Sequence, residues 1–278
     1  MSVLVVGASG AVGARVVAGL VAQGVPVRAT SRDPRKLALP PQVGVFAADL
    51  NVPASFGPAL QGVERVFLYA DLGDPEALVA ELVRSGVRQA VLLSSSSVTF
   101  PGAEEDFNGA RFVRVERAID GSGLDYTFLR PGSFASNAAR WSWSVKTAGV
   151  VPLPYPEAVQ VPVHEADIAD VAVVALTGET LLGARPVLTG PERLSLREQV
   201  ATIGSVIGRP VSVREQSERE SSALLSQFVT TEWSSQIIKG WRESVGARPE
   251  ISGEYTRITG QSARTFRAWV TDHVELFR

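Results

Sequence analysis

An apolar strand that runs straight into three spaced glycines is the strongest constraint on what this chain can fold into. Val3–Val6 is an unbroken valine and leucine run, and Gly7-Ala8-Ser9-Gly10-Ala11-Val12-Gly13 follows at once. A strand with no polar alternation belongs in a sheet covered on both faces. Gly7 permits a tight turn, Gly10 lets a ligand approach the backbone, and Gly13 lets the next helix pack close. That helix is expected over residues 11–23, where Ala11, Val12, Val16, Val17, Leu20 and Val21 recur at helical spacing and Gly24 stops it.

The same alternation continues to about residue 130. Strands are expected at residues 25–30, 43–47, 63–69, 89–94 and 125–129, with helices at 54–60, 75–85 and 105–120 between them. Short connections between strand and helix predict an α/β fold, a Rossmann-type doubly wound parallel sheet. After Arg130-Pro131 the texture changes: residues 133–144 are rich in Asn, Ser and Trp, and residues 150–162 hold four prolines. A helix over 166–176 and a short strand at 186–188 return to the first pattern. Ser195 and Glu198 have capping-box spacing at the start of a helix to Ile207, and a further strand is expected at 211–214. Residues 217–245 read as polar helix and 263–276 as a terminal helix. The chain therefore divides into a dinucleotide-binding core, residues 1–130 with elements returning from about 159–190, and a smaller α/β capping part, 131–278, interleaved with it.

Composition narrows the function classes. With no cysteine, disulfides and thiolate chemistry are excluded. The two histidines, His164 and His273, are too far apart in sequence to make a metal-ligand spacing, so no metal site is expected. A formal charge of −2 offers no basic face for nucleic acid. No apolar run approaches the roughly eighteen residues of a membrane span, and no charged segment precedes the first strand as in a secretory leader. A cytoplasmic monomer or homodimer with a small-molecule substrate is expected.

In a strand–glycine-turn–helix unit, a pyrophosphate seats against the free amides and positive dipole end of the helix. The end of the second strand then selects the cofactor. NAD sites place a carboxylate there to accept from the ribose 2′-hydroxyl, whereas this chain reads Ala29-Thr30-Ser31-Arg32, with Lys36 close behind. A guanidinium in that place suits a 2′-phosphate, so NADP(H) is the expected cofactor. Asp33, followed by Pro34, is expected to cap the next turn.

The glycine loop with Arg32, Ala48-Asp49-Leu50, Val91-Leu92-Leu93-Ser94-Ser95-Ser96, and Ser122-Gly123-Leu124-Asp125-Tyr126-Thr127-Phe128-Leu129-Arg130-Pro131-Gly132-Ser133-Phe134 resemble the atypical short-chain dehydrogenases/reductases, and within them the NmrA-like branch. Residues 163–173, Leu188-Thr189-Gly190-Pro191-Glu192 and Ile258-Thr259-Gly260 resemble its bacterial members related to ergot-alkaloid and quinone reductases. The resemblance implies that Gly7, Ala8, Ser9, Gly10, Ala11 and Val12 hold the pyrophosphate, and that Ser31, Arg32 and Lys36 hold the 2′-phosphate. It places Asp49 and Leu50 at the adenine, and Tyr69, Ala70 and Asp71 at the ribose and phosphate. Ser94, Ser95, Ser96, Pro131 and Phe134 would surround the nicotinamide. Asp167 is read as the N-cap of a helix starting at Ile168, and His164 as a packing residue.

The pattern breaks at the proton donor. Reductases of the larger superfamily use a tyrosine with a lysine four residues on, and aligning on Glu116 puts Asn108 and Phe112 at those places. Neither side chain titrates, and the flanking Arg111 and Arg114 stay protonated. Ser96, at the superfamily's serine position, is the catalytic candidate through a hydrogen bond to a carbonyl. Three readings stay open: an NADPH-dependent reductase of a quinone, iminium or polycyclic aromatic acceptor needing little acid catalysis, an NADP(H)-sensing regulatory protein, or an auxiliary protein of a biosynthetic pathway. Ser96, Phe134, Trp141 and Trp233 are candidates for the substrate pocket, with Trp143 and Trp241 as further aromatic surface or core.

Overall fold

The computed structural model describes residues 1–70 and 73–278. From the amino terminus the elements are β1 (Val3–Val6), α1 (Ala11–Ala22), β2 (Val27–Ser31), β3 (Gly44–Ala47), α2 (Gly57–Leu60), β4 (Arg65–Tyr69), α3 (Pro75–Arg84), β5 (Gln89–Leu93), α4 (Phe107–Asp120) and β6 (Asp125–Pro131). They continue with α5 (Ser142–Ala148), β7 (Val150–Leu153), β8 (Val159–Gln160), α6 (Glu165–Thr177), β9 (Val187–Leu188), β10 (Leu194–Ser195), α7 (Leu196–Ile207) and β11 (Ser212–Glu215). The last helices are α8 (Glu218–Leu225), α9 (Thr231–Glu243), α10 (Glu254–Thr259) and α11 (Phe266–Asp272). The chain forms two compact units: Met1–Pro131 with Glu165–Leu188 and Arg257–Gly260, and Gly132–His164 with Thr189–Thr256 and Gln261–Arg278.

In the first unit seven strands form one sheet in the order β3-β2-β1-β4-β5-β6-β9, every neighbouring pair parallel. This is a Rossmann-type sheet, whose strand order reverses beside β1. Alternate residues explain why the central runs of β1, β4 and β5 show no polar alternation. Leu4, Val6, Val66, Leu68, Ala90 and Leu92 pack with Leu78 and Leu82 of α3 and Val115 and Ile119 of α4. The intervening Val3, Val5, Phe67 and Val91 point the other way and are also buried. Here α1 and α6 pack together, so closely that a Cβ on Gly19 would lie 2.8 Å from Val173. Arg65 of β4 donates to the carbonyls of Leu176 and Gly178 at 3.0 and 2.7 Å, closing the carboxyl end of α6.

The second unit has its own core, in which Val145, Val151, Leu196, Ile203, Ile238, Phe266, Trp269 and Phe277 are buried together. Its two small sheets pair β7 with β11 in parallel and β8 with β10 antiparallel. Ser195 and Glu198 form the expected capping box on α7. The polar stretch 217–245 is mostly helical, as expected, in two helices, because Thr230 caps a new start by accepting from the Trp233 amide. The expected terminal helix is shorter, beginning at Phe266 with Thr265 as its cap. The helix after His164 starts at Glu165, so Asp167 lies in its first turn, not at its N-cap; a carboxylate there still favours the dipole. His164 is buried, with Nε2 3.3 Å from Asp272.

Gly13 is the tightest point of the β1–α1 connection. A Cβ there would stand 2.2 Å from the Gly7 carbonyl oxygen. Gly13→Ala should therefore destabilise the protein by about 1–3 kcal/mol or more through overpacking, read as a lower melting temperature; an unchanged melt would show that α1 can shift to make room.

Candidate functional site

The turn after β1 is built from the glycines upward. Gly7 has φ +77°, a left-handed conformation that a side chain resists, and a Cβ on it would meet the Tyr69 ring at 2.9 Å. Its carbonyl accepts from the Gly10 amide at 2.9 Å. Gly10 is the N-cap of α1 in extended conformation, with no side chain capping the helix and no acidic residue in the first turn. The amino end of α1 thus presents backbone amides and the positive end of its dipole at the carboxyl edge of β1. Ala8 and Val12 are buried beneath this turn, while Ser9, Gly10 and Ala11 are exposed.

At the end of β2 the charges are arranged unequally. Asp33 caps the following 3-10 turn, accepting from the Arg35 amide, as the sequence predicts. The same carboxylate pairs with Arg35 Nε at 2.9 Å and Lys36 Nζ at 3.8 Å. Ser31 Oγ is also drawn into this turn, accepting from the Asp33 amide at 3.2 Å. Arg32 is exposed, and among the described residues no carboxylate pairs with it. Beyond β3, Asp49 makes a side-chain turn, its Oδ1 accepting from the Asn51 amide at 2.9 Å, and Leu50 packs on the core. Tyr69 and the buried Ala70 end β4; Asp71 lies outside the described residues.

The serines after β5 have different tasks. Ser94 is buried and donates to Glu116 Oε1 at 2.5 Å. Glu116 in turn holds Arg130 of β6 through two bonds of 3.0 and 2.5 Å. The Ser94 hydroxyl is thereby spent inside the fold, joining β5, α4 and β6. Ser95 caps the next 3-10 turn by accepting from the Ser97 amide. The Ser96 hydroxyl has no protein partner among the described residues, and it is only half-buried. Two further polar atoms, Oγ of Ser97, which sequence reasoning missed, and Oδ1 of Asn108, at the superfamily's tyrosine position, are buried without a hydrogen-bond partner among the described residues. Such atoms mark places where a ligand or water completes the bonding. Pro131 ends β6 opposite Leu188.

The second unit contains a cavity of about 710 Å³. Trp141, Trp143, Leu225, Phe228, Ile237 and Trp241 form much of its wall, and Arg140 is the only charged residue in the lining. Trp141 lines this cavity. Trp233 and Phe134 do not line it: Trp233 lies near the start of α9, and Phe134 bridges to Val163. Trp241, buried on the same helix as Trp233, takes the place expected of it. Hydrogen bonds from Arg242 and then Tyr155 hold the Glu218 carboxyl below its usual pKa and tie the start of α8 to the end of α9.

Residues 7–179 match the family described as NAD(P)H-binding. The chain belongs to this family. It is 36% identical, over 99% of both chains, to a (4-alkanoyl-5-oxo-2,5-dihydrofuran-3-yl)methyl phosphate reductase of Streptomyces griseus subsp. griseus. It is 27% identical, again over 99% of both chains, to an NAD(P)H azoreductase of Xenophilus azovorans. Among solved structures, an NADPH-dependent quinone oxidoreductase of Escherichia coli superposes with a TM-score of 0.81 at 21% identity, over 98% of this chain and 99% of that one. The chain is thus an NmrA-like atypical short-chain dehydrogenase/reductase, and the two relatives above are named reductases. No described helix is long and apolar enough to cross a membrane, and no described cluster of residues is suited to a metal.

The Ser94–Glu116–Arg130 network underlies this edge of the sheet. Glu116 and Arg130 are only 8% and 15% exposed, so removing one partner leaves a charge buried and unpaired. Glu116→Ala should cost about 3–5 kcal/mol of unfolding free energy in denaturant titration. A loss below about 1 kcal/mol, the range of exposed pairs, would mean that water reaches the pair.

Proposed function

We propose that the chain is an NADP(H)-dependent reductase of electron-poor conjugated acceptors, such as acylated unsaturated lactones and quinones. The observation that carries this reading is an uncapped α1 terminus beneath the Gly7 turn, beside an exposed Arg32 that no described carboxylate neutralises. The glycines fit a dinucleotide: Gly7 takes a left-handed turn in which a side chain would collide with Tyr69, and Gly10, at the exposed N-cap of α1, leaves the amides open to a phosphate. In this reading Gly7 to Val12 take the pyrophosphate, and Arg32 takes the 2′-phosphate. Lys36 assists after swinging from its long, exposed pair with Asp33, a cost of at most about 1 kcal/mol. Asp49 and Leu50 border the adenine, and Tyr69 and Ala70 the ribose. Ser95, Ser96 and Pro131 lie at the nicotinamide end.

When bound, the cofactor supplies a hydride. What the protein must then provide depends on the acceptor. The Streptomyces relative is named for a ring whose double bond is conjugated to both a ring carbonyl and an alkanoyl carbonyl. Hydride addition at the far carbon of such a bond leaves negative charge shared by two carbonyl oxygens, a weak base that water protonates. A quinone spreads the charge in the same way. Such acceptors account for Asn108 and Phe112 standing where a tyrosine and lysine are expected, since no strong protein acid is needed. The unpartnered Ser96 hydroxyl serves as a hydrogen-bond donor to a carbonyl oxygen, steadying that charge. Full-length similarity to named reductases favours turnover over sensing alone.

Two measurements test this reading. Arg32→Ala should weaken NADPH binding by about 1–3 kcal/mol, the range of a hydrogen bond to a charged group, and leave NADH binding unchanged. Equal losses for both dinucleotides would remove Arg32 from the 2′-phosphate. With wild-type protein, a 2-acylbutenolide and a benzoquinone should each oxidise NADPH; binding of NADPH without turnover of either would overturn the reductase assignment.

A further inference from the structure

The cavity of the second unit holds one cation whose counter-charge the described protein does not supply. Arg140 follows the Asn137–Ala139 turn and donates to Asn137 Oδ1 at 2.6 Å, a neutral acceptor. Its guanidinium has five N–H donors, and no described carboxylate pairs with it. Burial draws its pKa below the usual arginine value. Arg197 pairs with Glu157, Arg242 with Glu218, and Arg278 with Glu275; Arg193 and Arg209 rest on backbone carbonyls outside the cavity lining. A charge set in an apolar lining without a partner is costly, and folded proteins keep one where a ligand completes it.

The rest of the lining describes that ligand's other end. Trp141, Leu225, Phe228, Ile237 and Trp241 offer apolar and aromatic wall, and the remaining polar residues are neutral amides and hydroxyls. A purely neutral aromatic compound would leave Arg140 uncompensated, and a small inorganic anion would leave most of about 710 Å³ unfilled. Trp143 and Phe228, 72% and 62% exposed, are large apolar groups left at the surface of this unit, as at the mouth of a ligand site. We propose that this cavity binds an amphiphilic anion, a phosphate or carboxylate head on Arg140 with an alkyl, acyl or aromatic body along the Trp141–Ile237–Trp241 wall. That this anion is the acceptor being reduced rests on the reductase reading; that it binds does not.

Three tryptophans in the lining make their fluorescence a direct report of occupancy. The protein without dinucleotide is titrated with octyl phosphate, octanoate, octanol and inorganic phosphate. Either octyl anion should bind at least about tenfold more tightly than octanol, which lacks the charge-assisted bond, and more tightly than inorganic phosphate, which lacks the apolar body. Tighter binding of octyl phosphate than octanoate assigns a phosphate head, and the reverse assigns a carboxylate. Arg140→Gln should abolish the preference for the anion over octanol, while Arg140→Lys keeps part of it. Equal affinity for octanol and both octyl anions in the wild type, or an undiminished preference in Arg140→Gln, would overturn the proposal; the wild-type comparison decides even if a variant does not fold. A parallel NADPH titration separates the two readings, since failure there strikes the reductase assignment and not the anion site.

Discussion

The contact between Gly13 and the Gly7 carbonyl governs how the first unit is built. At 2.2 Å from a hypothetical Cβ to that oxygen, only glycine lets α1 begin so near the end of β1. The approach brings the uncapped amides of α1 to the carboxyl edge of the sheet, beside the point where the strand order turns from β1 to β4. Ends of β2, β4 and β5 converge on the same edge because all seven strands run parallel. The uncapped amides of α1, the exposed Arg32 and the Ser96 hydroxyl therefore come from segments far apart in sequence, and the close helix contact sets where their common edge meets a helix dipole.

Electrostatics divide the remaining side chains into those spent on the fold and those held for something else. Glu116, Arg130 and Ser94 satisfy one another, as do Glu218, Arg242 and Tyr155 on the second unit. Arg35 and Lys36 lean on Asp33. Arg32 and Arg140 stand outside every such pairing among the described residues, one in the open at the end of β2 and one in the lining of an apolar cavity.

Much of the first unit was legible because its signals are local. The apolar runs of β1, β4 and β5 and the Asp74-Pro75 start of α3 depend on neighbours a few residues away, as does the Ser195–Glu198 box of the second unit. β2 starts two residues later than its first valine, since the Val25 amide is still bonded to the Leu20 carbonyl. The second unit was harder to read. β7 was hidden by Pro152, which a two-stranded sheet tolerates because each strand is an edge. The resemblance places Ser94 at the nicotinamide, and no local signal tells that its hydroxyl bonds Glu116, 22 residues away in sequence. Arg140 could not be found at all by pattern, for its meaning lies in the carboxylate that is not beside it.

In the proposed function this chain moves a hydride to the carbon β to both carbonyls of a conjugated acceptor. Turnover of a 2-acylbutenolide with NADPH deuterated at the nicotinamide C4 position, on the transferred face and in ordinary water, tests it most directly. The account predicts one deuterium at the carbon β to both carbonyls and none at the α carbon, read by NMR of the product. A product with no deuterium from either labelled face of the cofactor, or with the label at the α carbon, would contradict it.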